Sequence, residues 1–166
     1  KFDFQAKRAL TETVEKKMDR KLRPVFAEIA RGTQDPDKAA RLAQLLARLA
    51  DQAGDALYEP LSREFIDFLA RHPAYPKADE LELRLGQLHD KAGRYESAVV
   101  ALNKVVAVYP ASPLCPKALR LAGDVYAGRL KDYAKAAEAY QGVTQRYASS
   151  PEAGVAYEAI AALEEK

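Results

Sequence analysis

The chain has 166 residues, of which 48% are hydrophobic and 30% charged; it contains no Trp and 8 Gly. A chain of this length can form a domain with a core. Its composition excludes wholesale disorder. Because it is rich in Ala and Leu, it favours packed helices over a β-sandwich or barrel. The net charge of +2 does not by itself indicate nucleic-acid binding, the single Cys cannot form an internal disulfide, and no run of about 18 apolar residues predicts a transmembrane span.

Residues 1–31 have the most uneven charge, with nine Lys/Arg against five Asp/Glu. Apolar residues recur there every four positions, which predicts an amphipathic helix over about 3–31, kinked or split at Pro24. We expect this segment, residues 1–35, to pack over the end of the following domain, or else to form a coiled coil or bind a partner. Its basic side chains form a solvated face or, alternatively, a surface that binds an anionic membrane or nucleic acid. They are Lys16, Lys17, Arg20, Lys21 and Arg23.

Prolines separate the remaining stretches, which have helical periodicity. Asp35-Pro36, Ser112-Pro113 and Ser150-Pro151 each place a proline after a capping side chain, which predicts that a helix begins there. Gly54 and Gly93 follow apolar-periodic runs, where a helix C-terminus favours positive φ. We predict no strand. The predicted helices are 36–53, 57–71, 77–92, 95–109, 113–128, 132–147 and 151–165.

A helix–turn–helix unit repeats along residues 36–166. The segment 109–113 has one counterpart 37 residues earlier, at 72–76, and another 38 residues later, at 147–151. The later of the two best-matched units carries one extra residue, which we expect in its turn. A unit of this kind cannot bury its apolar face alone and must stack on its neighbours. The predicted repeats are 36–75, 76–112 and 113–150, followed by a half repeat at 151–166.

The repeated residues resemble the tetratricopeptide repeat pattern: a Gly, an aromatic three positions on, an Ala twelve after the Gly, then large apolar residues and Pro. These positions are occupied by Gly86, His89, Ala98, Leu102, Val105 and Pro110, and in the next unit by Gly123, Tyr126, Ala136, Tyr140 and Val143. The resemblance implies an all-α solenoid of stacked antiparallel helix pairs, a right-handed superhelix preceded by the extra N-terminal helix. Packing explains the small residues, since Gly86, Gly123, Ala98 and Ala136 let paired helices approach closely.

The long period and the Tyr-Pro-Ala-Ser-Pro connector resemble bacterial envelope proteins of this family, of the outer-membrane assembly lipoprotein and Tol–Pal-associated periplasmic types. That resemblance implies a place in the periplasm or at the outer membrane, with the cytoplasm as the alternative. It also implies a concave groove, lined by the first helix of each pair, that binds a peptide or protein segment. The groove residues carried over are Glu80, Leu83, Gln87, Asp90, Lys117, Arg120, Asp124 and Ala127.

Within this groove, Lys117 and Arg120 are spaced to share a helix face, and we predict a basic patch that binds a peptide carboxylate or a helix. Catalytic chemistry is not indicated. His72 lies in a predicted inter-repeat turn, His89 takes an aromatic repeat position, and Cys115 is expected to be a small half-buried side chain. We therefore predict no catalytic residue, metal site or cofactor, since a helical enzyme would need a cofactor or polar pocket that this sequence does not indicate.

Overall fold

The computed structural model describes residues 20, 36–52 and 55–164, and all regular structure in those residues is helical. The fold class is therefore all-α, as predicted. The chain divides into two compact units between Pro73 and Ala74. The predicted helix at 3–31 and the predicted boundary at residue 35 lie outside the described residues, apart from Arg20, which is helical and exposed. The helices are α1 (Pro36–Gln52), α2 (Asp55–Arg71), α3 (Ala78–Lys91), α4 (Tyr95–Val108), α5 (Cys115–Val125), α6 (Tyr133–Arg146) and α7 (Pro151–Glu164).

In the first unit, α1 and α2 pack against each other. The face of α1 that carries Leu42 and Leu46 is buried, whereas Arg41 and Arg48 on the opposite face are exposed, as the helical period predicts. In α2 the buried apolar side chains among the described residues are Leu61, Phe65, Phe68 and Leu69. Helix α2 starts before the predicted residue 57 and contains Pro60.

In the second unit, each helix from α3 to α7 packs against the next, and α5 also contacts α7. Small residues set how closely the helices approach. A Cβ added to Gly86 would lie 2.8 Å from Cγ of Leu102, and one added to Gly123 would lie 2.5 Å from Cε1 of Tyr140. Both distances are far inside van der Waals contact, so each pair closes only because the first helix carries glycine there. The predicted packing role of these two glycines is confirmed.

The predicted start of α5 at Pro113 is wrong, although α1 and α7 do begin at their predicted prolines. Ser112 N–H donates to the carbonyl of Tyr109 at 2.9 Å, and Cys115 N–H donates to the carbonyl of Ser112 at 3.2 Å. These bonds hold residues 109–115 in turns, so α5 begins at Cys115 and Pro116 takes the early helical position. Proline suits that position because no intrahelical acceptor is available to an N–H there.

The extra residue of the 113–150 repeat lies within its first helix, and the expectation of a longer turn is wrong. Helix α5 continues into a π-helical segment, Tyr126–Leu130, which ends at Lys131 with φ of 57°. Asp132 N–H donates to the carbonyl of Tyr126 at 3.0 Å, whereas the matching bond after α3 joins Arg94 N–H to the carbonyl of His89. The wider turn of the π-helix absorbs one residue, so α6 keeps its place in the stack.

Candidate functional site: a cleft between the first helices of two repeats

Side chains of α3, α5 and the π-helical segment border an open cleft of about 290 Å³, here called the inter-repeat cleft. Among the predicted groove residues, the structure brings Gln87, Asp90 and Asp124 to this cleft. Apolar residues from α4 and α5 form the rest of its walls. The lining residues are Gln87, Asp90, Leu102, Leu121, Asp124, Val125, Gly128 and Arg129.

Both carboxylate oxygens of Asp124 are engaged by neighbouring side chains. Arg120 Nη1 donates to Oδ2 at 2.6 Å, and Tyr140 Oη donates to Oδ1 at 2.9 Å. Burial, then the hydrogen bond to Asp124, raises the pKa of Tyr140, so the phenol stays protonated and remains a donor. Arg120, one of the two residues of the predicted basic patch, is thus paired with Asp124, and the other is Lys117; binding of a carboxylate by this patch stays a prediction.

Asp90 differs from Asp124 in the groups that compensate its negative charge. Its Oδ1 atom is buried and accepts no hydrogen bond, and it lies 3.8 Å from Nε of Arg129. Arg129 extends from the π-helical segment over the ring of Tyr95, with its guanidinium carbon 5.7 Å from the ring centroid. This cation–π contact holds the guanidinium at the rim of the cleft, beside Asp90 but outside hydrogen-bonding distance.

Other predicted groove residues lie elsewhere. Leu83 is 4% exposed within the apolar cluster between α4 and α5, so its assignment to the groove surface is wrong. Helix α3 buries residues on more than one of its faces, and Leu83 lies on one of these buried faces. Glu80 is paired with Arg84 at 3.1 Å, and Ala127 packs against the cluster formed by α5, α6 and α7. Lys117 is half-buried on α5.

Arg129 is the principal side chain that sequence reasoning missed. An ordinary α-helix would direct it differently, because the π-turn changes the angle at which each following residue leaves the axis. The one signal in the sequence was the extra residue of this repeat. The predicted basic surface of the N-terminal segment, at Lys16, Lys17, Lys21 and Arg23, lies outside the described residues, and Arg20 is exposed.

His72, His89 and Cys115 are each packed against neighbouring groups of the protein. His89 is 7% exposed, and burial lowers its pKa. The ring of His72 lies 4.7 Å from that of Phe68, and its pKa is lowered by burial and then by Arg71. Cys115 is fully buried and its S–H donates to the carbonyl of Tyr109 at 3.2 Å, so the expectation of a half-buried side chain is wrong.

Clusters of metal-ligating side chains and membrane-spanning helices are both missing from the part of the chain that the structure describes. No group of three or more His, Cys, Asp or Glu side chains in residues 36–52 and 55–164 is arranged to hold a metal ion. Over the same residues, no helix has the length and apolar character needed to cross a membrane.

In the second unit, the helix pairs α3–α4 and α5–α6 stack in sequence order, and each closes at a glycine of its first helix. Repeated helix pairs that stack in this way define a helical repeat protein. Residues 83–151 match the family model described as tetratricopeptide repeat, and this match supports a tetratricopeptide repeat protein. The matched segment runs from within α3 to the first residue of α7, so it contains the inter-repeat cleft. No curated protein matches the chain.

Proposed function

We propose that this protein is a non-catalytic scaffold that binds a segment of another protein along the surface formed by α3 and α5. Tetratricopeptide repeats generally mediate protein–protein interaction. The observation that carries the proposal is the inter-repeat cleft, where Gln87 and Asp90 of one repeat face Asp124 of the next. Polar groups from consecutive first helices are what an extended or helical ligand would meet on crossing the two repeats.

The size and lining of the cleft support a protein ligand over a small molecule. Its volume of about 290 Å³ lies at the lower limit of small-molecule sites and suits one side chain of a longer ligand. The remaining affinity would come from neighbouring groove positions such as Lys117 and the Glu80–Arg84 pair. Because most binding energy in such interfaces comes from few anchored side chains, one well-formed pocket is enough to define a site.

Site-specific photocrosslinking tests this proposal. A benzoylphenylalanine placed at Gln87 should crosslink a defined protein in extracts of the source organism, whereas the same group at Glu138, exposed on α6, should not. Once the partner has been identified and purified, Gln87→Arg should weaken its binding and Glu138→Gln should not. A partner captured equally from both positions, or unaffected by Gln87→Arg, would place binding on another surface.

We further propose that the partner belongs to a multiprotein assembly of the bacterial cell envelope. The support is the Tyr-Pro-Ala-Ser-Pro connector at 109–113 and its counterpart at 147–151, which resemble the connectors of envelope proteins with these repeats. Fractionation of the source cells should recover the native protein with periplasmic or outer-membrane markers. Recovery with cytoplasmic markers alone would overturn this part of the proposal.

A further inference from the structure

We propose that the inter-repeat cleft binds a lysine or arginine side chain of the protein ligand, with Oδ1 of Asp90 as the acceptor. This inference rests on the proposed function and specifies the chemistry of its partner. It replaces the expectation, made from sequence alone, that the groove binds a carboxylate through Lys117 and Arg120.

Charge at the cleft favours a cation. Three ionised side chains line it, namely Asp90, Asp124 and Arg129. Asp124 is already matched by donors on both of its oxygens, from Arg120 and Tyr140. A ligand carboxylate would meet the negative charge of Asp90, and Arg129, the basic group that lines the cleft, is already shared between Asp90 and the Tyr95 ring.

Asp90 supplies the unused acceptor. Its Oδ1 atom is buried, accepts no hydrogen bond, and stands 3.8 Å from Nε of Arg129, which is beyond hydrogen-bonding range. A buried acceptor without a donor is unfavourable, and an ammonium or guanidinium group is the donor that satisfies a carboxylate best. The side chain of Arg129 is 57% exposed, so it can move aside over Tyr95 when a ligand cation enters.

The walls of the cleft suit the rest of such a side chain. Leu102, Leu121 and Val125 present apolar surface beside the carboxylates. Lysine and arginine carry a chain of methylene groups that packs on apolar surface while the charged end reaches a polar partner. The cleft thus matches both ends of a basic side chain, whereas a norleucine would leave Asp90 unsatisfied.

Short peptides provide a direct test on the full chain. Acetyl-Ala-Ala-Lys-Ala-Ala-amide and its Arg analogue should shift the methyl NMR signals of Leu102, Leu121 and Val125 in a saturable way. Norleucine and Glu analogues of the same peptide should leave those signals unchanged. Equal shifts with the norleucine or Glu peptide would overturn the proposal, and so would the absence of any shift with the basic peptides.

Two variants at the cleft should act in opposite directions. Asp90→Asn should weaken binding of the Lys peptide by about tenfold or more, since it removes the charged acceptor. Arg129→Gln should strengthen it, because it removes the competing cation, and a variant that merely damaged the fold would not gain affinity. Glu96→Gln, which removes an exposed charge from the first turn of α4, is the matched control and should bind as the wild type does.

The outcomes also separate this inference from the proposed function. If the crosslinked partner binds Asp90→Asn as tightly as the wild type, the groove function stands and the basic-side-chain pocket is wrong. If the basic peptides bind in the predicted way but position 87 crosslinks no protein, the pocket stands and the scaffold function fails.

Discussion

Tyr140 donates a hydrogen bond of 2.9 Å from its hydroxyl to Oδ1 of Asp124, and this bond joins the packed core to the groove surface. The same tyrosine ring fills the space that Gly123 leaves open on the facing helix. Asp124 in turn lines the inter-repeat cleft. One residue of α6 therefore sets both the distance between two helices and the position of a groove carboxylate.

Removal of that hydroxyl should be measurable in stability. We expect Tyr140→Phe to lower the free energy of unfolding by about 0.5–1.5 kcal/mol, because Asp124 loses one of its two donors and its side chain, 42% exposed, can regain only a bond to water. Tyr157→Phe is the control, since Tyr157 is 60% exposed and its hydroxyl can be replaced by water without loss. Urea denaturation of both variants checks the prediction, and equal stabilities would show that the bond contributes nothing.

Alanine substitutions at two helical glycines should have effects of opposite sign. Gly123→Ala should destabilise by about 1–3 kcal/mol, because its Cβ would overlap the ring of Tyr140. Gly154→Ala in α7 should stabilise by about 0.5–1 kcal/mol, because nothing lies within 4 Å of the added atom and alanine favours the helix. Thermal and urea unfolding measure both. A stabilising Gly123→Ala would disprove the close approach of α5 and α6.

Two serines at equivalent turns differ in their partners, which makes them a matched pair. Ser112 Oγ donates to Oδ2 of Asp79 at 2.5 Å and accepts from Leu114 N–H at 3.1 Å. Ser150 Oγ is buried without a hydrogen-bond partner, because Pro116 occupies the position in its repeat that corresponds to Asp79.

We therefore expect Ser112→Ala to cost about 1–2 kcal/mol and Ser150→Ala to be neutral or slightly stabilising, since an unsatisfied buried hydroxyl is removed. Chemical denaturation of the two variants gives the comparison directly. Equal losses at the two serines would mean that the Asp79 contact is not the cause.

The turns that precede α4 and α6 each contain one residue in the left-handed conformation, but the residue differs. Gly93 has φ of 71° and Lys131 has φ of 57°. Only glycine takes this conformation without a steric cost, so Gly93→Ala should destabilise by about 1 kcal/mol. Lys131→Gly should stabilise by up to about 1 kcal/mol, unless the added freedom of the unfolded chain offsets the relief. Unfolding free energies test both, and a clear loss in Lys131→Gly would contradict the strain.

The lowered pKa of His89 predicts that the stability of the protein depends on pH. Burial lowers its pKa in the folded state below the ordinary value of 6.5, so the unfolded chain binds the proton more readily. Its contribution to stability is present above pH 6.5 and is lost as the pH falls through that range. In His89→Tyr, which carries the residue found at the equivalent Tyr126, the fall in stability between about pH 7 and 5 should be smaller.

His72 contributes a fall of the same sign, because its pKa is also lowered by burial and then by Arg71. The double variant His72→Asn, His89→Tyr should therefore show the flattest profile across that range. A steeper profile in His89→Tyr than in the wild type would contradict a lowered pKa for His89 in the folded state.

The repeats were predictable because their signals are local or periodic. Leu42 and Leu46 recur at the helical spacing, and the structure buries both. Gly86 and Gly123 recur in the same place of consecutive units, and the structure brings each against a large side chain of the next helix. Predicted helix ends within 36–164 differ from the observed ones by about two residues, which is the usual uncertainty of helix termini.

The candidate site was only partly predictable. Gln87, Asp90 and Asp124 were assigned to the groove from their repeat positions and line the cleft, but the same reasoning assigned the buried Leu83 to the groove and did not predict that Arg120 pairs with Asp124. The position of a residue in the repeat indicates which face of the helix carries it. It does not indicate which oppositely charged side chain, from another turn or helix, pairs with that residue.

By itself, the amino-acid sequence establishes the helices, their pairing into repeated units and the small residues at their contacts. These features follow from the spacing of residues along the chain. The tertiary structure alone establishes that Arg120 and Tyr140 satisfy Asp124 while Asp90 keeps an open acceptor beside Arg129. That difference depends on a π-turn and on distances of a few ångströms between separate helices. Coulombic and hydrogen-bond energies change steeply over such distances, and sequence spacing does not specify them.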